Sequence, residues 1–215
     1  MSSEDGALVE PLAVVVQTVK TADLKGGQTV LVFGCGLIGI LCQAVSRCYG
    51  AKRVVGVDIS ASRTKFAKNF SADTVFVSDQ GLTGLNDSRA DAEKIMSQCG
   101  LPDGADVVIE CTGAETCIQS GVLCTKSGGT FVQVGLGPDT VNFPITLVLI
   151  KSLTVKGAAR YTTGCYPAAI DLIASGKIKA SSLISHRFPF ERALEAFETF
   201  ERGENTMKVV IQGVD

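Results

Sequence analysis

The chain has 215 residues, 46% of them hydrophobic, with 20 Lys and Arg against 22 Asp and Glu for a net charge of -2. That length makes one large domain, or one domain with a piece of another, and it carries enough apolar residues for a sizeable core. The near-balanced charge argues against a nucleic-acid or anionic-membrane surface, and no apolar run is long enough to span a bilayer.

The first residues, MSSEDGALVEPL, hold no basic segment followed by an apolar one. No secretory leader is expected, and a reducing cytoplasm is the expected compartment. The eight cysteines include no CxxC pair, and the single histidine, His186, is far from all of them in sequence. Most of these cysteines fall in apolar runs and read as small buried hydrophobes, not as zinc ligands.

In chain order, residues 9–19 read as a helix with Pro11 in its first turn, followed by a turn at Lys25-Gly26-Gly27. Val30 to Phe33 is a continuous apolar run, the mark of a strand buried on both faces. After the glycines of GCGLIG, apolar residues recur at 38, 41, 42, 45 and 48, one face of a helix that stops at Gly50. RVVGVD, 53–58, is a second strand. A helix over 62–70 and a short strand over 73–78 follow.

Residues 88–98 read as a helix capped by Asp87, 105–113 as a fourth strand, 115–126 as a helix and 128–137 as a fifth strand. Pro144 opens a short apolar helix, and 152–160 reads as a sixth strand. Apolar strands alternating with helices predict an α/β fold, a doubly wound parallel sheet covered on both faces. The tail reads differently: a helix from Tyr166 to Lys177, an extended LISHRFPF, an amphipathic helix over 191–203 and a last strand over 207–212.

GCGLIG, Gly34 to Gly39, meets the context a dinucleotide-binding turn requires: a strand before, a helix after, and an acid at the end of the next strand. Gly34 permits the tight turn. Gly36 leaves room for a pyrophosphate at the positive end of the helix. Gly39 lets helix and strand pack closely. Asp58, 19 residues past Gly39, can accept from the adenosine ribose hydroxyls and would repel a 2′-phosphate, so NAD is expected over NADP. Arg63 can be read as a phosphate contact or as a solvated helix residue. The turns Cys111-Thr112-Gly113 and Val134-Gly135-Leu136-Gly137 fall at the same sheet edge, as cofactor neighbours or as ordinary turns.

Taken together and in order, GALVEPLAV, VFGCGLIG, VVGVDISASR, IECTGAE, GGTFVQVGLG, FPITLVLIKSLTVKGAARY and HRFPFERALEAFETFERG resemble zinc-dependent polyol dehydrogenases. These are the sorbitol/xylitol branch of the medium-chain dehydrogenase/reductase superfamily. The resemblance runs from residue 6 to 212. It implies that Ile38, Asp58 and Arg63 contact NAD, and that Val134, Gly135 and Leu136 with Ala158, Ala159 and Arg160 lie along the nicotinamide half. It implies that Arg160 and Tyr161 face the polyol, and that Glu10 lies beside a catalytic zinc and the substrate oxygen. A lone glutamate at position 10 would otherwise read as an exposed acid in a helix first turn.

The resemblance further implies that residues 1–13 are a linker, that 14–162 form the NAD-binding domain, and that 163–215 belong to a GroES-like catalytic domain. That domain's main zinc ligands have no counterpart in these residues, and no complete metal site is expected. The 215 residues alone are therefore expected to bind NAD without turnover, and to form a homo-oligomer or associate with full-length subunits. The tail strand and the apolar stripe of the last helix are expected to lack their usual partners. A methyltransferase built on the same sheet does not fit ECTGAE and VGLG.

Overall fold

The computed structural model describes residues 1–203 and 206–213. Its elements, in chain order, are α1 (Ser3–Ala22), β1 (Thr29–Phe33), α2 (Leu37–Cys48), β2 (Arg53–Asp58), α3 (Ala61–Phe70), β3 (Thr74–Val77), α4 (Gly84–Gln98) and β4 (Ala105–Glu110). Then come α5 (Glu115–Cys124), β5 (Thr125–Gln133), α6 (Ile145–Ile150), β6 (Thr154–Gly157), α7 (Cys165–Ala174), β7 (Ile184–Pro189), α8 (Ala193–Arg202) and β8 (Lys208–Gln212). Six strands form one parallel sheet in the order β3-β2-β1-β4-β5-β6. The order reverses between β1 and β4, which opens a crevice at the carboxyl ends of those strands.

The two-faced burial expected of β1 is present residue by residue. Val30 and Val32 join one core with α1, α2 and α7. Leu31 and Phe33 join the other, with α4 and α5. That alternation within an unbroken apolar run is what a central parallel strand requires. Phe131 of β5 is buried in the second core, edge-on to Phe143 at 6.5 Å between centroids.

Several expectations need correction at their edges. The first helix begins at Ser3, not at residue 9, because Ser2 and Asp5 form a capping box. Pro11 is therefore inside α1, which runs unbroken from Ser3 to Ala22. Helix α4 begins at Gly84 behind Thr83, and Asp87 is not its cap. The Asp87 carboxylate instead reaches back to accept from the Thr83 N–H at 2.8 Å. β5 starts at Thr125, directly after α5, and β6 is only Thr154–Gly157.

The last strand is not left unpaired. β8 lies parallel to β7 in a separate two-stranded sheet, with α8 as the crossover between them. Arg187 of β7 makes a two-pronged ion pair with Glu4 of α1, at 2.5 and 2.9 Å. Helix α8 does keep an open apolar stripe: Leu194 is 73% and Phe197 65% exposed. Five of the eight cysteines are buried and none is in a disulfide.

The packing sets a contrast that urea denaturation checks. Phe131→Ala should lose about 3–5 kcal/mol of stability, whereas Leu149→Ala on the exposed face of α6 should stay within about 0.5 kcal/mol. Equal losses would contradict the assigned core.

Candidate dinucleotide-binding site

The glycine turn carries the chain from β1 into α2. Gly34 has φ 91°, and its N–H donates to the Val57 carbonyl at 2.7 Å. Only glycine takes that backbone conformation without strain. A Cβ on Gly39 would stand 1.8 Å from the Gly34 carbonyl oxygen, so helix and turn touch backbone to backbone. A Cβ on Gly36 would meet nothing within 4 Å. Gly36 caps α2 with no side-chain acceptor, and the first turn of α2 holds no acidic residue. The orphan N–H groups and the positive end of the helix dipole thus face open space, a setting suited to a phosphate.

Asp58 closes the turn from β2. It is buried to 9% exposure; one carboxylate oxygen accepts from the Cys35 N–H at 2.7 Å and the other from the Ser60 N–H at 2.8 Å. Ser60 caps α3, and Arg63 is half-buried in that helix's first turn. Gly34, Gly36, Asp58, Arg63, Thr112 and Cys117 are among the residues lining a cavity of about 480 Å³ at this end of the sheet. Burial pushes the Cys35 thiol up to about 12 and the Cys117 thiol up to about 11, so both stay protonated and uncharged near neutral pH. Ile38 is half-buried in the first turn of α2.

Beyond the reversal point, the turn 111–113 and the segment 134–137 pack against each other. A Cβ on Gly113 would lie 2.2 Å from the Leu136 carbonyl oxygen, and one on Gly135 would lie 2.2 Å from the Gly113 nitrogen. These glycines are there for close backbone contact, not merely for turning. Val134 is half-buried and Leu136 is 95% exposed. Ala158 is buried and donates its N–H to the Gln133 carbonyl at 2.9 Å, while Ala159 and Arg160 are exposed. Arg160 has φ 55°.

Sequence reasoning missed Glu110, the fully buried last residue of β4, whose carboxylate accepts from three residues around these turns. It also missed Tyr166. The Tyr161 and Tyr166 rings meet edge to face at 4.8 Å. A hydrogen bond with Tyr161, then partial desolvation and the nearby charges of Tyr161 and Glu10, hold the Tyr166 phenol up to about 12. Glu10 is exposed on α1, about two turns past the helix start at Ser3, not in a first turn. Among the described residues no group of three or more His, Cys, Asp or Glu is placed to hold a metal ion. The described residues therefore offer no ready-made zinc ligand set.

A family model described as zinc-binding dehydrogenase matches residues 38–175, more than half of the chain. The chain belongs to the zinc-binding dehydrogenase family. D-xylulose reductase A of Aspergillus niger is 40% identical over 212 residues, covering 99% of this chain and 58% of that protein. The chain thus spans about three-fifths of the length of the curated relatives it matches, in their C-terminal part.

Among solved structures of this kind, 2R,3R-butanediol dehydrogenase from Bacillus subtilis superposes with a TM-score of 0.85 at 26% identity, covering 100% of this chain and 59% of that one. A zinc-binding dehydrogenase from Sinorhizobium meliloti 1021 bound to NADP gives 0.83 at 29% identity, covering 97% and 59%. Family membership and the parallel six-stranded sheet agree with the fold and resemblance read from the sequence.

The glycines make opposite predictions for stability. Gly39→Ala should cost about 2–3 kcal/mol in urea denaturation, because a backbone contact must open. Gly36→Ala should cost less than about 1 kcal/mol, the difference between Gly and Ala at a helix cap. A silent Gly39→Ala would contradict the close approach.

Proposed function

We propose that this chain is the cofactor-binding portion of an NAD-dependent polyol dehydrogenase. In the whole protein, the reaction is hydride transfer between a sugar alcohol such as xylitol or sorbitol and NAD. The observation that carries the reading is the pairing of an uncapped, acid-free helix N-terminus at Gly36 with a buried carboxylate, Asp58, at the end of the neighbouring strand. The first suits a pyrophosphate; the second has lone pairs left for a ribose diol. The 40% identity to D-xylulose reductase A supports the substrate class.

Within this reading, NAD supplies the nicotinamide ring that accepts or donates the hydride. The chain's own residues bind and orient it. Gly34, Gly36 and Gly39 give the phosphates close access to backbone N–H groups. Asp58 takes the adenosine ribose and disfavours a 2′-phosphate, so NAD(H) is preferred although the Sinorhizobium structure carries NADP. Ile38 and Arg63 flank the adenosine half. Val134, Gly135 and Leu136, with Ala158, Ala159 and Arg160, border the nicotinamide half. Leu136, 95% exposed, would gain burial from a bound ring. Glu10, Arg160 and Tyr161 face the polyol in the whole enzyme.

No step is assigned to zinc, because the described residues offer no ligand set for it. The division of the chain into 1–13, 14–162 and 163–215 belongs to this proposal, as does a cytoplasmic location. No helix among the described residues is long and apolar enough to cross a membrane. A second reading is a non-catalytic NAD(H)-binding module that associates with itself or with full-length dehydrogenase subunits. The exposed Leu194 and Phe197 on α8 favour it, as an apolar stripe suited to a protein partner.

Calorimetric titration tests the cofactor assignment. The chain should bind NADH at least about tenfold more tightly than NADPH, and Asp58→Ala should erase that preference. Gly36→Ala should weaken NADH by about tenfold or more at little cost in stability. Tighter binding of NADPH by the unaltered chain would refute the specificity.

A further inference from the structure

Glu110 stands out among the described residues as a carboxylate with no exposed surface and no lysine or arginine among its hydrogen-bond partners. A buried charge of this kind is tolerated only where neutral donors replace its water. Here they do so completely. Oε1 accepts from the Thr112 N–H at 2.7 Å and from the Thr112 hydroxyl. Oε2 accepts from the Gly113 N–H at 2.9 Å and from the Gln133 amide at 2.8 Å. The Glu110 main-chain carbonyl accepts from the N–H groups of Val134 and Gly135, both at 2.9 Å.

One residue therefore ties together the two turns beyond the reversal point of the sheet. The Gln133 amide extends the tie, since it also donates to the Gly135 carbonyl at 2.8 Å. The Gln133 carbonyl then holds Ala158. The carboxyl ends of β4, β5 and β6 are in this way joined through the Glu110 carboxylate and Gln133. The glycine contacts at 113, 135 and 137 leave the turns no slack, so any shift of one moves the other.

The adenosine half of the crevice is built mainly by Gly34, Gly36 and Asp58 over β1 and β2, and it meets this network only at the near edge of the turn 111–113, where Cys111 and Thr112 line the same cavity. In a doubly wound sheet the second mononucleotide lies over the other half, at β4 and β5. We propose that Glu110 is a positioning residue for the nicotinamide half of the dinucleotide site, setting the turns 111–113 and 134–137 without touching the cofactor. This inference rests on the dinucleotide reading above.

A glutamine at 110 keeps the shape but presents an NH₂ where two donors now converge, so one turn must swing away. The test compares NADH with ADP, which lacks the nicotinamide half, by calorimetric titration well below the melting temperature. Glu110→Gln should weaken NADH by about tenfold while changing ADP by less than about twofold. Gln133→Met, which removes one donor and leaves the carboxylate, should show the same split at about threefold and serves if Glu110→Gln does not fold. Equal weakening of NADH and ADP, or no weakening of either, in the folded variants overturns the positioning role. Failure of the unaltered chain to bind either ligand overturns the dinucleotide reading, and the inference with it.

Discussion

The contact on which the site depends is the approach of Gly39 to the Gly34 carbonyl, so close that a Cβ would sit 1.8 Å from the oxygen. It brings the start of α2 down onto the end of β1, at the point where the strand order reverses. The orphan N–H groups of the helix then point along the sheet edge and into the crevice. The Gly34 N–H on Val57 and the Asp58 carboxylate on the Cys35 N–H lock the turn to β2. In the proposed function the same carboxylate that braces the turn also meets a ribose, so cofactor recognition and turn geometry would share a residue.

The two halves of the crevice are stabilised by different physics. The side proposed for adenosine relies on glycine geometry, a helix dipole and a buried acid, Asp58, that accepts from two backbone N–H groups. The other side relies on a carboxylate sealed from water and on turns pressed backbone to backbone. A sealed carboxylate is rigid because each of its lone pairs is engaged, and moving any donor leaves a charge unsatisfied. Such rigidity suits the side where a reacting ring needs a fixed seat.

Much of the fold was legible because the strands of a doubly wound sheet are apolar on both faces and carry their own boundaries. β1, β2 and β4 could be read from Val30–Phe33, Arg53–Asp58 and the start of ADVVIECTG. The errors fell where local chemistry was ambiguous. Ser2 and Asp5 cap α1 earlier than the hydrophobic pattern begins, and Thr83 starts α4 where Asp87 looked the better cap. The partner of β8 was invisible because pairing with β7 is a tertiary choice that neither strand encodes alone.

The site shows the same division. Gly34, Gly36, Gly39 and Asp58 lie in one sequence-local unit with a fixed spacing, and the structure brings them together. Glu110 gave no signal, since a glutamate before a turn usually caps or faces solvent. Only the register Phe33–Glu110–Gln133 across three strands reveals that it is buried and surrounded by donors. Tyr166 was likewise hidden, because its meeting with Tyr161 depends on the path of the loop between β6 and α7.

The most direct measurement is a crystal structure of the chain grown with NAD⁺. The account predicts one dinucleotide lying across the carboxyl ends of the strands, its pyrophosphate on the N–H groups at the start of α2 and its adenosine ribose on Asp58. A dinucleotide bound elsewhere on the chain, or none at saturating concentration, would contradict it.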